Sequence, residues 1–200
     1  MIKVIGLTGG PGAGKSLAAG YLKEGGAIVI SGDEAGRAVL AKYPLTLEKL
    51  SKAFGASILA DNGSLDRKKL GRIVFSDPKA MKKLNKIVHP YLLKILRSEI
   101  RGWKTRQSRN LIVVDAALIY EWGIEKWFDL ILVVRAKRDN RIKRLKDAGL
   151  TRKEAEDRIR SQISQRSKAS RADFVIDNDT SKSDLKRKIA GFLLEAGRRI

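Results

Sequence analysis

Residues 9–16 read Gly9-Gly10-Pro11-Gly12-Ala13-Gly14-Lys15-Ser16, directly after the apolar run Ile2-Lys3-Val4-Ile5-Gly6-Leu7-Thr8. The pattern is G-x-x-x-x-G-K-[ST], placed between a strand-like segment and a helical one that carries Leu17, Ala18, Tyr21 and Leu22 on one face. Glycines let the backbone curl around a phosphate without Cβ clashes. Their successive N–H groups form an anion nest, and the following helix adds its positive N-terminal end. In such a loop Lys15 reaches the outer phosphates and Ser16 offers its hydroxyl to Mg²⁺. Gly12, Ala13, Gly14, Lys15, Ser16 and Leu17 are therefore the expected nucleotide-binding run. A glycine-rich turn that binds nothing is the competing reading, and the strand before and helix after speak against it.

Working outward, four more short apolar runs rich in Val and Ile follow, at 26–30, 111–115, 130–134 and 173–176. Continuous runs of this kind fit parallel strands covered on both faces. Helical patterns between them predict an α/β three-layer sandwich around a five-stranded parallel sheet. About eighty residues separate the second run from the third, too many for one crossover helix. An inserted helical subdomain is expected there. Its helices are marked by Ala35, Val39 and Leu40, then Leu47, Leu50 and Phe54, then Leu70, Ile73, Val74 and Phe75. A long 3.6-residue pattern then runs from Ala80 to Ile95. Pro90 lies inside it and is expected to kink or split the helix. Residues 102–110 read as a polar connection back to the sheet. Thr151 and Glu154 predict a capping box opening a helix to about Arg166. Its apolar stripe is only Ala155, Ile159 and Ile163, which suits a moving lid. The expected organisation is one domain over 1–200. Its core is 1–33, 110–135 and 172–200, its insertion 34–109 and its lid 136–171.

The 200-residue chain is 43% hydrophobic, which suits a core and not disorder. It has no cysteine, so disulfides and thiolate metal sites are excluded. No apolar run approaches the ~18–20 residues of a membrane span, and a cytoplasmic enzyme is expected. Net charge is +20. Residues 67–109 hold 14 Lys/Arg against 2 acids, and residues 135–171 hold 14 against 5. Either these segments serve polyanionic small molecules, with surplus charge on the surface, or they form a nucleic-acid footprint. The first is expected, with any nucleic acid bound weakly and without sequence preference.

Asp33 follows the second apolar run, where an open parallel sheet places its ligand crevice. It could accept a proton from an attacking hydroxyl or cap the next helix, and spacing does not separate the two. Asp115 closes the third run, a position that usually holds Mg²⁺ in a phosphate-loop protein; a plain strand-end cap is the alternative. Glu121 is ambiguous and could orient a loop. His89, the only histidine, could be a core residue or sit at the Pro90 kink. Arg144 with Arg141, and Arg158 with Gln162, share helix faces in the lid segment, where arginine can neutralise a transferring phosphoryl group.

The ordered set of motifs resembles the dephospho-coenzyme A kinase family. It comprises Gly6 to Ser16, Asp33 with Arg37, Phe54-Gly55, Leu65 to Leu70 and Ile73-Val74-Phe75. Leu84-Asn85-Lys86-Ile87-Val88-His89-Pro90, Arg158 to Gln162 and Ala172 to Asn178 complete it. The resemblance implies ATP-dependent, Mg²⁺-assisted phosphorylation of the 3′-hydroxyl of dephospho-coenzyme A. Asp33 would be the base, with Lys15, Arg144 and Arg158 also catalytic. Asn178 would join the nucleotide contacts, Arg67, His89 and Glu121 the acceptor contacts, and Ser16 and Asp115 the metal. The departures are Ser31 where the family has an aspartate, Leu17 for threonine, Ala116-Ala117 after the third run, and Asn140 for glutamine. The lid segment is also about one residue short and lacks an arginine. Another small-molecule or nucleotide kinase of the same fold, or a nucleic-acid-binding ATPase, are the other readings. Oligomeric state is not readable.

Overall fold

The computed structural model describes residues 3–106 and 111–198. Its centre is a five-stranded sheet formed by β1 (Val4–Thr8), β2 (Ile28–Ser31), β3 (Ile112–Asp115), β4 (Leu130–Arg135) and β5 (Phe174–Asp177), in the order β2-β3-β1-β4-β5. Every pairing is parallel. The apolar runs thus give the expected sheet, with ends shifted by one or two residues. Two carboxylates tie strand starts together: Asp129 accepts the Val4 N–H and Asp173 the Ile131 N–H, both at 2.7 Å.

Two cores cover the sheet. On one face α1 (Lys15–Glu24) and α9 (Lys182–Arg198) pack Ala18, Leu22, Leu185 and Phe192 against Ile5, Leu7 and Leu132. On the other, α2 (Gly32–Lys42) and α5 (Pro78–Thr105) bring Val39, Leu92 and Leu96 onto Val4, Ile112 and Val114. Burying a Leu or Val side chain contributes roughly 1.5–3 kcal/mol, so these faces dominate stability. A smaller cluster of Leu50, Ile58, Leu70 and Val74 holds α3 (Leu45–Phe54) and α4 (Arg67–Ser76) beside α5.

Local chemistry sets the boundaries. Asp66 caps α4 by accepting the Lys68 and Lys69 N–H groups, and Asp77 caps α5 ahead of Pro78 in the first turn. Of the kink or split expected at Pro90, the split does not occur. Helix α5 continues through it for 28 residues. Pro90 and Lys86 are both exposed, so the carbonyl that loses its donor there faces water. The helix also continues to Thr105, and residues 107–110 of the expected connection lie outside the described residues.

The segment 136–171 holds α6 (Arg138–Asp147), α7 (Arg152–Arg160) and α8 (Gln165–Ala169). The Thr151–Glu154 capping box is present. The helix it opens ends at Arg160 and not near Arg166. The Ile163 N–H instead donates to the Glu121 carboxylate at 2.9 Å, and Ser164 starts a new helix by accepting the Ser167 N–H.

Candidate active site

The phosphate loop runs from the end of β1 into α1. Gly14 takes φ 94° immediately before α1, and a Cβ there would meet Asn178 Nδ2 at 2.1 Å. At Gly9 a Cβ would meet the Val134 carbonyl oxygen at 2.3 Å. Side chains from the C-terminal half grip the loop's carbonyl side. Arg141 Nε donates to Pro11 O at 2.8 Å, Asn178 Nδ2 to Ala13 O at 2.8 Å, and Arg144 Nη1 to Gly12 O and Ala13 O at 3.3 Å each. With those carbonyls engaged outward, the first-turn N–H groups of α1 remain the donors at the loop's mouth.

Lys15 forms an ion pair with Asp115 at the end of β3. Burial pushes the Asp115 carboxyl above its ordinary range, Lys15 pulls it back, and the negative charge of Asp33 pushes it up again. Asp33 is thus within electrostatic reach of Asp115. Its expected helix-cap alternative is overturned: the cap of α2 is Ser31, whose side chain accepts the Glu34 N–H at 3.1 Å. Asp33 sits in the first turn, exposed and facing the cavity. The residue that departs from the family pattern therefore has a structural task, leaving the one remaining acid free.

The loop and Asp33 open into one cavity of about 780 Å³. Residues 9–16 form one end. The other is apolar, with Leu70, Val74, Met81, Leu84, Val88 and Leu92 from α4 and α5. Arg37, Arg67, Arg144 and Arg158 reach the wall, as do Glu121, Trp122 and Gln162. Arg158 comes from α7 and lies over the Phe75 ring, 4.6 Å from its centroid. Arg67 donates to the Arg37 carbonyl at 3.5 Å. Neither has an acidic partner among the described residues. Arg144 is more constrained, since its second terminal nitrogen also donates to Asn178 O at 2.8 Å.

Some expected site residues stand back from the wall. Leu17 packs into the core beneath the loop, and Asn178 is buried behind it. His89 lies against Trp122 with centroids 5.6 Å apart; its Nε2 is buried without a hydrogen bond. Burial lowers the imidazole pKa. Glu121 does orient a loop, through the Ile163 N–H, and pairs with Lys168 at 2.9 Å. Asn140, the other departure, donates to Asp179 at 2.9 Å, outside the cavity wall.

The basic segments separate here. Among the described residues, Arg67 is the one cation of 67–109 that lines the cavity, and Arg144 and Arg158 those of 135–171. Most of the positive charge in the two segments therefore lies off the cavity wall, in keeping with the surplus expected on the surface. Sequence reasoning missed Lys168, which is fully buried. It lies in a charged stretch and carries no local mark of burial. The structural hold of Arg141 on Pro11 was equally unmarked.

The family model for dephospho-CoA kinase matches residues 3–184. The chain belongs to the dephospho-CoA kinase family. It is 38% identical over 194 residues to a dephospho-CoA kinase of Geobacillus kaustophilus, covering 96% of each chain. It is 37% identical to one from Arabidopsis thaliana, covering 98% of this chain and 85% of that one. Among solved structures it is similar to a Thermus thermophilus protein, with TM-score 0.78, 32% identity and 97% coverage of both chains. The dephospho-CoA kinase from Campylobacter jejuni aligns with TM-score 0.71 and 26% identity over 99% of this chain and 98% of its own. The five-stranded parallel sheet with helical insertions is that of phosphate-loop kinases, as dephospho-CoA kinase family membership requires. Among the described residues no helix is long and apolar enough to cross a membrane, and no group of three or more His, Asp or Glu forms a metal cluster.

Proposed function

We propose that the chain transfers the γ-phosphoryl group of ATP to the 3′-hydroxyl of dephospho-coenzyme A, giving coenzyme A and ADP, in the cytoplasm. The observation that carries this reading is that the phosphate loop and an unpartnered carboxylate, Asp33, share one cavity. Asp33 accepts the proton of the acceptor hydroxyl. The freed oxygen forms its bond to the γ-phosphorus, and the bond to the bridging oxygen of ADP breaks. A positioned base of this kind is worth roughly 10²–10⁴-fold in rate.

Lys15 holds the outer phosphates, and the α1 N-terminus with the loop N–H groups holds the inner ones. Ser16 and Asp115 would hold Mg²⁺. The residues suit a dication, because Asp115 is a desolvated carboxylate with a second carboxylate, Asp33, in reach and only one ammonium beside it. Mg²⁺ supplies charge neutralisation on the phosphates when bound. Arg158 approaches from α7 to neutralise the transferring group, so 136–171 acts as the lid. Arg144 and Asn178 keep the loop in shape. Gly12, Ala13 and Gly14 face the nucleotide, and Leu17 supports the helix that bears Ser16. The helices of 34–109 receive the acceptor. Arg67 faces its phosphates, Glu121 its polar edge, and the apolar end takes its uncharged arm. His89 acts through Trp122, which it backs.

A coupled assay of ADP release tests this directly. Release should require dephospho-coenzyme A. Equal or faster turnover with nucleoside monophosphates would move the chain to the nucleotide kinases, and RNA-stimulated ATP hydrolysis would favour the nucleic-acid-binding ATPase.

A further inference from the structure

Helix α5 has two unlike faces. Met81, Leu84, Asn85, Val88 and Leu92 look into the cavity. At 100° per residue, Lys79, Lys82, Lys86, Arg97, Arg101 and Lys104 fall within an arc of about 100° on the opposite side. All six are exposed. None has an ion-pair partner among the described residues. Lys83 falls at the edge of the same arc and Lys94 just outside it, the first donating to the Ala53 carbonyl and the second lying over the Tyr43 ring. The only acids of the segment are Asp77, the helix cap, and Glu99, on another face. At 1.5 Å per residue the stripe is about 38 Å long.

We propose that this stripe binds the phosphodiester backbone of double-stranded nucleic acid without reading its sequence. Three observations select that partner. First, two triplets of cations, 79–86 and 97–104, about 16 Å apart along one face of one helix and about 38 Å end to end, match one turn of a duplex, roughly 34–36 Å, whose phosphates recur along a stiff rod. Second, the aromatic rings beside the stripe are partly buried and already carry the protein's own cations. Arg97 lies over Trp127, Arg106 over Trp103 and Lys49 over Tyr91. They leave no stacking platform for the unpaired bases of a single strand. Third, among the described residues the large exposed apolar ones, Leu45, Ile73, Val175 and Leu194, all lie off α5, so the stripe has no anchor there to enter a bilayer.

The test is fluorescence anisotropy with 24-base-pair duplexes of two unrelated sequences, each as DNA and as RNA, between about 50 and 200 mM salt. Both sequences should bind alike, with Kd in the range 10⁻⁶–10⁻⁴ M at physiological salt and log K falling with slope of about −4 to −5 against log salt. Binding by either duplex supports the proposal, and the tighter one names the source of the backbone. The variant Lys82→Gln/Lys86→Gln/Arg101→Gln/Lys104→Gln should lose about tenfold or more in affinity and flatten the slope by about 3. Its kinase turnover should be unchanged, since none of the four touches the cavity. Equal loss from Lys23→Gln/Lys126→Gln/Lys143→Gln/Lys146→Gln would assign the binding to net charge and overturn the stripe. So would tighter binding to vesicles containing phosphatidylserine than to duplex, or no binding at low salt.

Discussion

Lys168 and Glu121 form an ion pair of 2.9 Å whose ammonium is fully buried. Lys168 also donates to the Ala117 carbonyl at 2.5 Å and to Gln162 Oε1 at 3.3 Å. Burial pulls its pKa down, opposed by Glu121. The second Glu121 oxygen, Oε2, is buried without a partner. The pair joins the last turn of α8 to the loop after β3, and it sets the positions of two cavity residues, Glu121 and Gln162.

Removing one partner leaves an uncompensated buried charge, which costs about 3–5 kcal/mol. Lys168→Met should therefore destabilise the fold by about that amount in urea melts and raise KM for substrates. Lys168→Met/Glu121→Gln should recover at least half of the loss. A double variant no more stable than the single one would mean the pair is not energetically coupled.

Lys15→Ala should abolish turnover, because no other side chain at the loop's mouth supplies a point charge to the outer phosphates. Wild-type turnover in a folded Lys15→Ala protein would remove the loop from the mechanism.

Asp33→Asn should lower kcat by roughly 10²–10⁴ while leaving ATP affinity nearly intact. Ser31, not Asp33, caps α2, so the melting temperature should hardly move. An unchanged kcat would exclude Asp33 as the base.

Asp115 shows the opposite balance. Its carboxyl is raised above the ordinary value by burial, so the folded state disfavours its charge. Between the unfolded and folded pKa values the folded state binds more protons, and stability falls as pH rises through that window. The penalty then persists to neutral pH. Asp115→Asn should raise Tm at neutral pH and lower activity together. A drop in Tm would show that the Lys15 pair outweighs the desolvation.

His89 titrates with the other sign. Its folded pKa is lowered below 6.5 by burial. The unfolded state then binds the proton more readily, and stability is lost as pH falls from about 6.5 through the folded value. His89→Phe also removes the unpaired Nε2. Its stability advantage over the wild type should widen between about pH 7 and about pH 5. Parallel melting curves across that range would exclude a titrating His89.

The strands and the phosphate loop were legible because their signals are local. Val- and Ile-rich runs mark buried strands, and eight consecutive residues spell the loop. Asp33 was legible as a position but not as a role, since only the contact from Ser31 to Glu34 separates base from cap. Pro90 does not split α5 because the helix is held by its buried face and not by the hydrogen bond that proline removes. Charge was the least legible signal. A count of cations in 67–109 does not say which face of a helix they occupy, and only folding α5 turns them away from the cavity. Lys168 was invisible because its burial depends on Glu121 and Ala117, about fifty residues away.

The grip of Arg141, Arg144 and Asn178 on Pro11, Gly12 and Ala13 has a consequence for biogenesis. The loop leaves the ribosome about 130–165 residues ahead of its clamps. The central strand β1 must likewise wait for β3 and β4, more than a hundred residues later. A nascent chain therefore carries its nucleotide loop unformed until those clamps have emerged. Chains stopped before β5 should not retain ATP, however well their earlier helices have collapsed.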